Sequence, residues 1–323
     1  MPSARPIDEP SALVADVGGT HIRLALATSQ GLEHRETWLC SGFETINAAL
    51  KTYLQSSAPD QTPHLAALAV ACPVAGDQIE LTNQHWSFSI AQLRQDLELQ
   101  DLLVVNDFTA LAAAIPKLEE NDTRLLKQGV ADESAAIAVL GPGTGLGVSG
   151  LLRSDRGWSP LSAEGGHCTL AATTEREWAV IEILRQEFGR VSNERVLSGP
   201  GLVNLYRALC RIDGESPLKT TPAVIVREAT ESPDSRESTA VKMFSGWLGA
   251  AAGDLVLTLG ARGGVFLGGG VLPKMIDVFD RNYFVERFLD KGRFRGYLEP
   301  VPVRLVLNTQ IALVGAAAII QER

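Results

Sequence analysis

Two glycine-tipped hairpins constrain the fold of this 323-residue chain more than any other feature. Residues 13–15 read as a buried strand, Ala15-Asp16-Val17-Gly18-Gly19-Thr20 ends it, and residues 21–27 alternate with strand period. Strands joined through Gly-Gly-Thr form a hairpin whose tip is nearly bare of side chains. Such a tip lets backbone N–H groups approach a phosphate, Thr20 adds a hydroxyl, and Asp16 can organise Mg²⁺. Taken alone, the same residues also make an ordinary tight turn with a capping Asp. The pattern recurs as residues 136–140, the turn Gly141-Pro142-Gly143-Thr144-Gly145, and residues 146–152. Each hairpin opens a mixed strand-and-helix segment, so the chain reads as a duplicated α/β fold. Two lobes would flank a cleft, each contributing one phosphate-gripping hairpin.

Periodicity fills in the rest. Three short strands are expected over 12–38, a helix near 43–55, a strand at 65–71 and a helix opening at Ser89. An apolar strand at 102–105 and a helix at 108–115 follow. Pro116-Lys117 and the charged residues 119–124 read as a boundary. Beyond the second hairpin come a short strand near 158–161, mainly helices from 175 to 261, and strands at 265–267 and 303–307. A helix over 311–321 closes the chain. There is no short-period repeat, long linker or low-complexity segment.

Composition narrows the function classes. The net charge of 29 − 38 = −9 argues against a general nucleic-acid or anionic-membrane surface. An anionic substrate must then be met locally, by backbone dipoles, metal or a few cations. Cys40, Cys72, Cys168 and Cys210 lie far apart without a C-x-x-C pair, which predicts free thiols in a reducing cytosol and no zinc knuckle. Residues 1–10 lack an apolar signal core, and the apolar stretches 65–75 and 311–320 are too short to span a bilayer. A cytoplasmic protein is expected.

Several residues could carry chemistry. Gly145-x-Gly147-x-x-Gly150 formally matches the dinucleotide fingerprint, but that motif needs a helix at its glycines, and residues 147–152 alternate like a strand. A Walker-type loop and the protein-kinase H-R-D set are absent. Asn106-Asp107 follows an apolar strand and begins a helix. It serves either as a helix cap or as a carboxylate aimed at a hydroxyl. Glu164-Gly165-Gly166-His167 places a carboxylate and an imidazole on a glycine loop, suited to gripping a polyol or simply structural. By itself Glu194 reads as a surface charge ahead of a helix capped at Ser198-Gly199-Pro200. Cys72 and Cys168 read as small packed residues.

In this order and spacing, ADVGGT, LTNQHW, NDFTALAAAIP, GPGTGLG, AEGGH, ERVLSGPGLVNLY and GGVFLGGGV resemble the bacterial-type glucokinases, within the sugar kinase, actin and heat-shock-chaperone superfamily. The resemblance runs nearly end to end. It implies an α/β, two-lobed, actin-like ATPase (ribonuclease H-like) fold with a duplicated β-β-β-α core. The implied division is a small domain of residues 1–117 plus 308–323 and a large domain of 118–307. The implied reaction is ATP-dependent phosphorylation of D-glucose at the 6-hydroxyl. Carried over by position, Asp107 is the general base and Asn106 a sugar ligand, while Glu164, His167 and Glu194 hold other hydroxyls. Ala15, Asp16, Val17, Gly18, Gly19 and Thr20 match the first phosphate loop, with Asp16 meeting Mg²⁺ through water. Gly143, Thr144 and Gly145 lie in the second phosphate loop, and Gly269 and Gly270 near the adenosine half.

His21 stands where this family often has Asn, at a peripheral polar contact. The zinc-binding cysteine cluster of the related repressor–ORF–kinase sugar kinases is missing, so no structural zinc is expected. The implied partners are glucose, ATP and a second copy of the chain, with no nucleic acid and no membrane. Rival readings are a kinase for another hexose or an amino sugar, a catalytically silent sugar-sensing regulator, and an actin-like polymer. The start of the first strand near residue 12 and the acidic charge weigh against the regulator. The intact Asn-Asp and Glu/His set weighs against the polymer.

Overall fold

The computed structural model describes residues 11–59, 61–81, 85–155, 157–217, 220–308 and 310–321. Thr82, Asn83 and Gln84 of LTNQHW lie outside the described residues, as do residues 1–10. The chain divides into two compact units, one ending at Leu118 and rejoined by the segment from Asn308, the other running Glu119–Leu307.

In the first unit, β1 (Ala12–Val17), β2 (His21–Thr28) and β3 (Gly31–Leu39) form an antiparallel meander. The strand β4 (Leu65–Val70) joins β1 in parallel. A two-stranded ribbon of β5 (Gln78–Glu80) and β6 (Ser87–Ser89) stands apart. The strand β7 (Asp101–Asn106) pairs with β4 in parallel, giving the sheet order β3-β2-β1-β4-β7. β1 is buried on both faces, as expected for an apolar run inside a covered sheet. Its odd-numbered residues, Leu13, Ala15 and Val17, meet Ile46, Leu50 and Tyr53 of α1 (Ile46–Ser56). Its even-numbered Ala12 and Val14 meet Leu313, Ala316 and Ile320 of the C-terminal helix Ile311–Gln321. The apolar residues of α1 recur at helical spacing, and Thr45 Oγ1 caps the helix by accepting from Ala48 N at 3.1 Å. Ser89 caps α2 (Ile90–Asp96) in the same way. Next comes α3 (Asp107–Ala114).

The second unit repeats this plan. After the edge strand β8 (Thr123–Lys127), β9 (Ile137–Pro142), β10 (Leu146–Ser154) and β11 (Gly157–Pro160) form the meander. Then β12 (Val265–Leu267) pairs with β9, and β13 (Val303–Val306) with β12, both in parallel. The order is β11-β10-β9-β12-β13-β8. Residues 119–124, expected as a boundary, contain the start of β8, which runs antiparallel to β13. Helices α4 (Glu175–Phe188), α5 (Gly199–Ile212), α6 (Pro222–Glu231) and α7 (Arg236–Leu259) separate meander from parallel pair. The short α8 (Leu272–Met275), α9 (Arg281–Leu289) and α10 (Arg295–Leu298) lie between β12 and β13. Trp247 and Phe244 of α7 and Phe284 and Phe288 of α9 are among the largest fully buried side chains of this core. The fold class is the expected one: two sheets on one strand plan, each a meander followed by parallel strands.

Candidate active site

In the first unit the site grows from one sheet edge. β1, β4 and β7 run parallel, and their last residues Val17, Val70 and Asn106 stand abreast. The glycine hairpin and Asn106-Asp107 therefore leave the sheet at the same carboxyl edge, where open α/β sheets collect ligands. The hairpin is closed by Gly18 N donating to the His21 carbonyl at 2.9 Å. Gly19 and Thr20 are exposed at its tip, as is His21.

Asp16 points from the buried end of β1, with Arg23 directly opposite in register. Arg23 Nη1 donates to Asp16 Oδ2 at 2.7 Å. Burial pushes the Asp16 carboxyl above the usual range, while the charge and hydrogen bond of Arg23 pull against that rise without cancelling it. Arg23 was not among the sequence-derived site residues. Asp16 and Arg23 are equidistant from the hairpin tip, so strand counting makes them a cross-strand pair of opposite charge.

Asn106 caps α3, its Oδ1 accepting from Phe108 N at 2.9 Å, while its Nδ2 donates to the Cys72 carbonyl at 3.3 Å. Asp107 is half-buried in the first helical turn, where the helix dipole favours an anion, and its Oδ1 also accepts from Phe108 N at 2.9 Å. Capping is thus a real role of this pair, and it orients both side chains.

The second unit brings together motifs far apart in sequence. Gly143 N donates to the Gly145 carbonyl at 2.8 Å, closing the second hairpin. Because β12 lies beside β9, residues 268–270 reach the same place. Gly268 N donates to the Leu140 carbonyl at 2.9 Å and Val271 N to the Pro142 carbonyl at 3.1 Å. The approach is so close that a methyl group on Gly141 would strike the Gly268 carbonyl, and one on Gly269, at φ +82°, the Pro142 carbonyl. Gly270 faces open space. Gly199 N, at the start of α5, donates to the Gly143 carbonyl at 2.9 Å. Residues 147–150 lie within β10, so the dinucleotide fingerprint has no helix behind it.

The AEGGH and ERVLSG motifs meet the same hairpin. Gly165–His167 forms one 3-10 turn and Asn193–Arg195 another, joined by Asn193 N donating to the Cys168 carbonyl at 2.9 Å. Glu194 Oε2 accepts from Leu146 N, the first amide of β10, at 2.9 Å. Glu194 Oε1 stands 4.0 Å from His167 Nδ1, beyond direct hydrogen-bond length. Glu164, His167 and Cys168 are exposed on this turn, and the His167 amide donates to the Glu164 carbonyl at 3.1 Å. The exposure of Cys168, at the C-terminal end of the first of these turns, corrects the packed reading. Arg190, also missed in the sequence, donates from Nη2 to the His167 carbonyl at 2.7 Å and to Thr169 Oγ1 at 3.0 Å. A solvent-exposed arginine carries no local signal of that role.

Each unit thus presents a glycine-tipped backbone hairpin beside side chains with hydrogen-bonding capacity. Comparison with known proteins gives the same pattern a family. A family model described as glucokinase matches residues 13–323. A glucokinase of Hahella chejuensis is 44% identical over 310 residues, covering 95% of either chain. The crystal structure of a glucokinase from an Antarctic psychrotroph superposes with a TM-score of 0.88 at 40% identity, over 97% of this chain and 99% of that one. A ROK-family glucokinase from Streptomyces griseus, solved with glucose and AMPPNP, shares the fold at a TM-score of 0.63 and 18% identity, over 97% of this chain and 100% of its own.

Proposed function

The chain belongs to the glucokinase family, and from that premise we propose that it transfers the γ-phosphoryl group of ATP to the 6-hydroxyl of D-glucose, with Asp107 as general base. The observation that supports this reading is the shared sheet edge of the first unit, where the glycine-tipped hairpin and the Asn106-Asp107 pair leave the sheet together.

In the reaction, the bond from O6 to the γ-phosphorus forms as the bond from that phosphorus to the bridging oxygen breaks. ADP leaves, and the O6 proton passes to the Asp107 carboxylate. The transition state is loose, so the residues chiefly position groups and stabilise charge. Asn106 Nδ2 carries two hydrogens. One is on Cys72, and the other is offered to a sugar hydroxyl. Glu164, His167 and Glu194 take the remaining hydroxyls. Backbone amides of residues 15–20 and 143–145 receive phosphate oxygens, and Gly269 and Gly270 leave room for the adenosine half.

Among the described residues there is no group of three or more His, Cys, Asp and Glu able to hold a metal. Asp16, already paired with Arg23, is the carboxylate that would hold a Mg²⁺ ion through water when the nucleotide is bound. Mg²⁺ bound there would neutralise charge on the β- and γ-phosphates. The reading includes a zinc-independent enzyme of the cytoplasm, acting as a homodimer without nucleic acid or membrane partners. Among the described residues no helix is long and apolar enough to cross a membrane.

A coupled assay of ADP release with ATP, Mg²⁺ and a panel of sugars tests the assignment. Glucose should give the highest kcat/KM. The absence of glucose-dependent ADP release would overturn the reading, and higher turnover on mannose, fructose or an amino sugar would reassign the substrate.

A further inference from the structure

One carboxylate of the second unit holds an amide beside the glycine turn and faces the imidazole of the neighbouring turn. Glu194 Oε2 holds the Leu146 amide at 2.9 Å, and Leu146 directly follows the phosphate turn Gly143-Thr144-Gly145. Glu194 Oε1 faces His167 Nδ1 across 4.0 Å, a gap that a hydroxyl bonded to both groups would close. The turn itself is lightly held. Its cross-bond is Gly143 N to Gly145 O at 2.8 Å, its outside anchor Gly199 N to Gly143 O at 2.9 Å, and two of its three residues are glycine. A methyl group on Gly145 would meet Glu194 Oε2, so a side chain there must push that carboxylate aside.

Accepting that the protein binds glucose through Glu194 and His167, we propose that Glu194 is also a positioning residue for the nucleotide. A sugar hydroxyl that pins its carboxylate immobilises the Leu146 amide and with it the phosphate turn. Glucose thereby removes part of the ordering cost that the nucleotide would otherwise bear, which makes the two ligands bind cooperatively.

Calorimetric titration of AMPPNP with Mg²⁺, in the presence and absence of saturating glucose, measures this coupling as a ratio of Kd values. In the native protein glucose should tighten AMPPNP by at least about 5-fold, and AMPPNP should tighten glucose by the same factor. Gly145→Ala, which pushes the carboxylate off the Leu146 amide, should bring the ratio to within about 2-fold of unity. Glu194→Gln keeps an oxygen for that amide and should retain coupling even as it weakens sugar binding. A variant that merely weakened one ligand would leave the ratio intact. Should circular dichroism show Gly145→Ala unfolded, Glu194→Asp replaces it, since its shorter side chain cannot span both partners. An unchanged ratio in the uncoupling variant, or independent binding of both ligands to the native protein, overturns the proposal. A native protein that binds no glucose at all overturns instead the functional reading beneath it.

Discussion

Asp107 is at once the first residue of α3 and the proposed acceptor of the O6 proton, and one substitution separates these roles. Asparagine caps and opens helices about as well as aspartate, so Asp107→Asn should leave stability and glucose binding nearly unchanged. It removes the base, and kcat should fall by about 10²–10⁴. Measuring kcat alongside the glucose Kd checks this, and turnover within a few-fold of the native rate would leave Asp107 only its helix role. Arg23 invites a different measurement. Because burial raises the Asp16 carboxyl, the folded chain holds that proton more tightly than the unfolded chain does. Asp16 therefore supports folding at acid pH, and that support is lost as pH climbs through the raised value. Arg23 limits the loss. Arg23→Ala should cost about 1–3 kcal/mol at neutral pH and progressively less toward acid, read from urea midpoints at several pH values. A deficit independent of pH would mean that Arg23 acts through packing alone.

Helices and strands meet on small residues in the first unit. Gly315 of the C-terminal helix lies so close to α3 that a methyl group would strike the Ala110 carbonyl oxygen. That obstacle is backbone and cannot swing aside. Gly315→Ala should destabilise by about 1–3 kcal/mol despite its better helix propensity, visible as a lower unfolding midpoint. A neutral or stabilising result would show that the helices can slide apart freely. Most elements were legible from periodicity and caps, Ser89 and Ser198 included. β8 was not, for a definite reason. It carries the buried Lys127, whose Nζ donates to the carbonyls of Gln128 at 3.0 Å, Glu299 at 2.7 Å and Val301 at 2.9 Å. A lysine after charged residues reads as surface until the three carbonyls are known. The ribbon of β5 and β6 also escaped, since three residues are too few to establish a period.

At the scale of the whole molecule, the two units repeat one strand order and each displays one glycine hairpin, while the cysteines stay dispersed. Cys40, Cys72 and Cys210 are buried and Cys168 is exposed, all as free thiols. Activity should therefore stop when Mg²⁺ is removed, return when it is restored, and persist under a zinc-selective chelator. Loss under that chelator, reversed by zinc, would sink the zinc-independent reading.

Local spacing by itself determined the strand and helix periods, the bare tips of both hairpins, the placement of Asn106-Asp107 at a strand end, and, through seven ordered motifs, the family. These follow from nearest neighbours along the chain, where side-chain alternation, capping and glycine freedom act. Tertiary structure alone decided which loops became neighbours. The parallel pairing of β12 with β9 sets residues 268–270 against the second hairpin, and the two joined turns carry Glu194 to the Leu146 amide. It also matched a buried Asp16 with Arg23 and turned Cys168 outward. Such contacts depend on hydrogen bonds and burial between distant segments, and no pattern within one segment specifies its partner.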